Sequence, residues 1–316
     1  MEWFTKSRLF DLARQGQRLT HVAAVIPLSF LFALVSQFGV IPVLVGMQVL
    51  YGTDHLSDTG SLLGVSPLLA GFWESLLLIT SFVLIYFILW LWLRFFEKRP
   101  FWTLGYEIKN AVMQYGRGFL IGGLMFGGAV GILTITDGIS FEKGVATHQG
   151  LAALGGVFVV LIGWVVQGGA EEALIRGWVL PVIGARYKPW IGLLVSSLIF
   201  ALLHGLNPGL SVVALVNLAL FGAFAGLYAM REGSIWGISA LHSVWNWVQG
   251  NFFGFEVSGT NASGGTLLNL METGEDWLTG GTFGPEGGLA VTIVLLVAIT
   301  VTLFWRKKEI RQEKIA

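Results

Sequence analysis

The sequence predicts an all-α, polytopic transmembrane helical bundle of about eight spans with both termini cytoplasmic. Three observations carry that prediction. Of the 316 residues 54% are hydrophobic and only 12% charged, against about 25% charged in an ordinary soluble domain. Apolar runs recur at about 22–50, 72–95, 114–136, 151–175, 189–205, 209–230, 234–253 and 288–305, most of them near the roughly 20 residues a helix needs to cross the hydrocarbon. Finally, if these runs alternate in direction, every Lys and Arg except Lys143 falls on one side. Basic residues mark cytoplasmic loops, so a missed or invented span would have scrambled that asymmetry.

The elements follow in order. Residues 1–20 interleave Trp3, Phe4, Leu9, Phe10 and Leu12 with Lys6, Arg8 and Arg14, the pattern of an N-terminal interfacial helix. They lack the short apolar core and small-residue cleavage site of a removable signal peptide. Residues 21–305 then form a single transmembrane domain, and residues 306–316 a basic cytoplasmic tail with Arg306, Lys307, Lys308, Arg311 and Lys314. In the third span Gly118 and Gly122, and then Gly123, Gly127 and Gly131, stand four residues apart, as do Gly222 and Gly226 in the sixth. Small residues at that spacing let helix backbones approach closely in lipid. The stretch 254–287 carries five acids and no base and reads as an outer loop, with a flexible segment at 279–288.

Several function classes fall away. No cysteine is present, which excludes disulfides, thiolate metal sites and a cysteine nucleophile. The basic residues form short membrane-flanking groups instead of a binding stripe, which argues against nucleic acid. The partners left are the lipid bilayer and whatever enters it, and the oligomeric state stays open.

Three apolar spans contain polar groups that lipid should exclude. An ionisable side chain at membrane depth costs at least about 2.5–3.5 kcal/mol, so it is kept where it lines a cavity or carries chemistry. The first set is Glu171-Glu172-x-x-x-Arg176, the second Phe200-x-x-x-His204, the third His242-x-x-x-Asn246. On a helix, Glu172 and Arg176 share a face at i, i+4 with the acid first, the favourable order for an ion pair. Glu171 points about 100° away, so one carboxylate is neutralised and the other is left free. Phe200 with His204, and His242 with Asn246, share faces by the same spacing.

A carboxylate and an imidazole around one water can take its proton and deliver it to a leaving amine. An Asn and a second His can donate hydrogen bonds to a tetrahedral oxyanion. The set therefore suits peptide hydrolysis by activated water with no cofactor. An alternative is a divalent metal such as zinc, held by Glu171, His204 and His242 as a two-His, one-carboxylate set; no His-Glu-x-x-His helix is present. Two further classes remain open here: a catalytically silent membrane scaffold or immunity protein, and a proton-coupled transporter. Transport would call for broken helices in matching halves, and Pro27 and Pro42 of the first span have no clear counterpart. Access is expected from the cytoplasmic half, since His242 lies nine residues, about 13 Å, beyond Gly233.

At these residues the chain resembles the CAAX-processing and bacteriocin-processing (CPBP, or ABI) family of intramembrane glutamic endopeptidases. Its Glu-Glu-x-x-x-Arg, Phe-x-x-x-His and His-x-x-x-Asn motifs occur here in order, and the resemblance spans about 101–253. It implies a catalytic core there, with Glu171 and His204 activating water and His242 and Asn246 forming the oxyanion site. Glu172, Arg176 and Phe200 would be supporting residues. The implied substrate is a membrane-anchored or lipidated, CAAX-like protein or a peptide precursor, and the expected location a bacterial cell membrane.

Overall fold

The computed structural model describes residues 2–52, 64–144 and 146–304; the basic tail lies outside them. The chain is helical apart from one short antiparallel pair. In chain order the helices are α1 (Glu2–Thr5), α2 (Arg8–Ala13), α3 (Val22–Gln37), α4 (Ile41–Tyr51), α5 (Pro67–Leu91), α6 (Ala111–Ile135), α7 (Leu154–Glu172), α8 (Leu180–Arg186), α9 (Pro189–Leu203), α10 (Val212–Glu232), α11 (Trp236–Trp247), α12 (Asp276–Thr279) and α13 (Leu289–Phe304). The strands β1 (Ile139–Phe141) and β2 (Leu270–Glu272) pair with Ser140 opposite Met271.

Five stretches are long and apolar enough to cross a membrane: Val22–Tyr51, Pro67–Glu97, Ala111–Ile135, Gly150–Arg186 and Val212–Glu232. Two shorter apolar helices are Pro189–Leu203 and Leu289–Phe304. Local chemistry sets their starts. Pro67 and Pro189 occupy first-turn positions, where a missing N–H costs nothing, and Ser66 and Ser211 accept from the backbone N–H of Leu69 and Ala214. Gly233, at φ 75°, takes the left-handed conformation that closes α10.

The fourth span runs on past Arg176. α7 continues through a π-helical stretch, Ala173–Val179, into α8. Such widened turns interrupt the i→i−4 ladder and are frequent at functional sites. Glu171 and Glu172 thus sit inside a 37-residue helical segment, well away from either end.

Helix α11 is the centre of the bundle: every residue from Gly237 to Trp247 is buried. It packs on α6 and α7. The contact with α6 depends on glycine, because a Cβ at Gly118 would overlap the Gly237 backbone and one at Gly122 would meet Leu241 and Val244. Gly222 and Gly226 approach Ser197 and Leu193 in the same way. The other predicted row differs: Gly123, Gly127 and Gly131 have open space where a Cβ would go. Four-residue spacing marks a helix face, and which face meets a neighbour is decided by the bundle.

Contacts between connecting segments sort onto two ends, as alternating spans require. At one end Arg8 pairs with Glu107 at 2.9 Å, Ser7 donates to the Met230 carbonyl at 2.8 Å, and Arg117 pairs with Glu232. Leu9, Phe10 and Leu12 are buried here against the protein, Phe10 beside Gly184, while Trp3 and Phe4 stay half-exposed. At the other end β1 meets β2, and His148 meets the Val65 carbonyl at 2.9 Å.

The segment after α11 is ordered, contrary to the loop expected at 279–288. Glu286 accepts from the Trp245 indole at 3.0 Å and from the Ser258 backbone and hydroxyl at 3.0 and 2.7 Å. Glycines at positive φ, Gly280, Gly281 and Gly284, turn the chain tightly enough to deliver that carboxylate.

Candidate active site

The ion pair read from the spacing is present and fully buried. Arg176 Nη1 donates to Glu172 Oε1 at 2.8 Å, with both side chains at 0% exposure. The guanidinium also reaches the Gly222 carbonyl at 3.3 Å and lies 4.5 Å from the centre of the Phe200 ring. Phe200 therefore supplies a cation–π face to a charge that has no water.

Glu172 Oε1 has a second donor, His242, whose Nδ1 lies 2.9 Å away. A carboxylate accepts, so Nδ1 carries the proton and Nε2 faces the opposite way. There it meets Glu171 Oε2 at 3.9 Å. That oxygen is buried and has no hydrogen-bond partner among the described residues. The gap is longer than a direct hydrogen bond. The His242 ring is held by edge contacts with Phe221 and Phe200, at centroid distances of 5.1 and 5.9 Å.

His204 ends α9, with its Nδ1 2.9 Å from the Phe200 carbonyl. A carbonyl only accepts, so Nδ1 is protonated there and Nε2 is left for other work. Asn246, one turn beyond His242, donates from Nδ2 to Gln167 Oε1 at 2.9 Å. Gln167 in turn donates to Glu171 Oε1 at 2.6 Å. Glu171, His204, His242 and Asn246 all line one cavity of about 640 Å³. Glu172 and Arg176 lie behind its wall.

Gln167 is a site residue that sequence reasoning missed. The signal was there: it is the lone amide in the apolar run before Glu171, four residues ahead of it, the spacing already used to join Glu172 to Arg176. Glu74 and Glu286 also line the cavity, and nothing local in the sequence ties them to the motifs.

The cavity lies toward the end of the bundle away from the termini, whereas the counting from Gly233 looked to the end that carries Gly233. Besides the motif residues, Gln37, Glu74, Gln167 and Asn217, the polar lining includes Asn207, Ser258, Thr260, Asn261 and Glu286, these five at or beyond the ends of α9 and α11 farthest from the termini. No residue of 98–110 or 233–235 contributes. Counting from Gly233 located His242, but His204 stands deeper, a full 15-residue helix away from that end. As for the metal alternative, Glu171, His204 and His242 do not close into a metal-binding group, and no such group of three or more His, Asp or Glu occurs among the described residues.

Fold and site define a multi-pass membrane protein with a carboxylate–imidazole–amide centre buried among its helices. Residues 153–248 match the family described as Type II CAAX prenyl endopeptidase Rce1-like, and form a domain of that family. All seven motif residues fall inside the matched stretch. Searches of the curated proteins and of the solved structures return no match.

Proposed function

We propose that this protein is an intramembrane endopeptidase that hydrolyses a peptide bond of a membrane-anchored or lipidated substrate with a glutamate-activated water. One observation carries the reading: a free carboxylate oxygen, Glu171 Oε2, faces an imidazole nitrogen across a gap of 3.9 Å in a cavity shared with His204 and Asn246.

In this reading Glu171 and His204 take a proton from water as its oxygen adds to the scissile carbonyl. The new oxyanion receives hydrogen bonds from Asn246 Nδ2 and His242 Nε2. Because His242 Nδ1–H is committed to Glu172, donation from Nε2 requires the doubly protonated ring. Collapse of the intermediate breaks the C–N bond, and the proton first taken from water passes to the leaving amine. No covalent enzyme intermediate is needed. Glu172, Arg176 and Phe200 support His242 from behind.

The Lys and Arg distribution supports a reading with both termini on the cytoplasmic side, in what we take to be a bacterial cell membrane. The cavity then opens toward the opposite face, which favours a lipidated or membrane-anchored segment presented from there. The test is to offer lipidated and membrane-anchored peptides to purified protein and read new termini by mass spectrometry. His204→Ala abolishes cleavage while the protein stays folded; cleavage unchanged by both His204→Ala and Glu171→Gln overturns the assignment.

A further inference from the structure

The geometry points to Gln167 as the positioning residue of the centre, an amide relay that sets both the base and the oxyanion donor. This rests on the proteolytic reading above. Gln167 is buried, 7% exposed, on a helix whose neighbouring residues are apolar. A buried amide is retained where its donors and acceptors are used, and here both ends go to motif residues. Its Oε1 accepts from Asn246 Nδ2 at 2.9 Å, and its Nε2 donates to Glu171 Oε1 at 2.6 Å.

The direction of the relay is fixed. The Glu171 carboxylate only accepts, so the Gln167 NH₂ must face it, which turns the Gln167 oxygen to α11 and requires the donor end of Asn246 there. Glu171 Oε1 is thereby occupied, and Oε2, which has no hydrogen-bond partner among the described residues, is the oxygen turned toward His242 Nε2 at 3.9 Å. On the other side, one N–H of Asn246 is spent on Gln167, which leaves the second to point into the cavity. One side chain thus chooses which oxygen acts on water and orients the amide that meets the oxyanion. Gln167 itself need not touch the substrate.

Two substitutions test this. Gln167→Met keeps length and removes both hydrogen bonds; it is expected to lower kcat about 10- to 100-fold, the value of one hydrogen bond to a charged group, with KM within about twofold. Gln167→Glu keeps the acceptor for Asn246 but sets a second carboxyl against Glu171. Once protonated, the introduced carboxyl can donate to Glu171 as the amide did, so activity is expected to recover as pH falls from 8 to 5.5, relative to wild type at each pH. Gln167→Met shows no such recovery. A purely packing role would make Gln167→Met the milder change at every pH.

Wild-type kcat in Gln167→Met, or a Gln167→Glu profile parallel to wild type, overturns the inference while the proteolytic reading stands. If wild-type protein cleaves no peptide beyond the Glu171→Gln background, the reading fails and the inference with it. Melting temperatures of both variants are measured alongside, and the pH recovery in Gln167→Glu is independent of any uniform loss of folded protein.

Discussion

Glu172 and His242 are joined across two helices by a 2.9 Å hydrogen bond on the oxygen that also holds Arg176. The adjacent carboxylate, Glu171, is left out of that network and keeps 16% of its side chain exposed to the cavity. In the proposed reaction the two consecutive glutamates have separate tasks, one structural and one chemical.

Separate tasks give opposite stability effects. Arg176→Met strands Glu172 as a buried charge with one fewer partner, at an expected cost of about 3–5 kcal/mol. Glu171→Gln loses only the longer 3.9 Å contact with His242 Nε2 and should shift stability by less than about 1.5 kcal/mol. Thermal unfolding in detergent distinguishes them; equal effects would mean the two carboxylates share one network.

The two glycine rows of α6 should also separate. Gly118→Ala drives a methyl into the Gly237 backbone and is expected to cost about 1–3 kcal/mol. Gly127→Ala meets open space and should be neutral or stabilising by up to about 1 kcal/mol through helix propensity. Unfolding of both variants checks the α6–α11 contact.

Much of this was legible in the sequence, for identifiable reasons. Hydropathy located the five long apolar segments and the two shorter apolar helices, while the run at 234–253, expected as an eighth span, is the short buried helix α11 followed by a π-helical turn; the i, i+4 rule paired Glu172 with Arg176 and left Glu171 outside that pair. What escaped involves residues brought together by the bundle. The Glu172–His242 bond joins positions 70 apart, and no periodicity encodes it. The π-helical stretch after Glu172 leaves no mark in hydropathy. Gly118 and Gly127 look alike until Gly237 is known to lie against only one of them. Gln167 lies within reach of the same spacing rule, but an uncharged amide in an apolar run is a weaker signal than an ionisable side chain.

Glu286 should hold the outer segment to the catalytic helix. Glu286→Ala leaves the Trp245 indole and the Ser258 backbone N–H without their acceptor, at about 1–3 kcal/mol for each buried donor. Hydrogen exchange across 254–288 is expected to rise while α6 stays protected. Unchanged exchange would show that Glu286 is not the anchor.

The strand pair should depend on pH. Burial pushes the Glu272 carboxyl from 4.5 up to about 7. The fold therefore keeps a proton that the unfolded chain releases above pH 4.5, and stability falls as pH rises from there through about 7. Protection factors for the amides of β1 and β2 should decrease across that window, and Glu272→Gln should flatten the trend. An increase with pH would contradict the sign.

The central claim is that Glu171 activates the attacking water. Its most direct test is kcat/KM for wild type and Glu171→Gln on one membrane-anchored peptide, at matched folded fraction. A loss of about 10²–10⁴-fold, the range for a general base, with an unaltered melting temperature is the predicted result; cleavage by Glu171→Gln at the wild-type rate would contradict it.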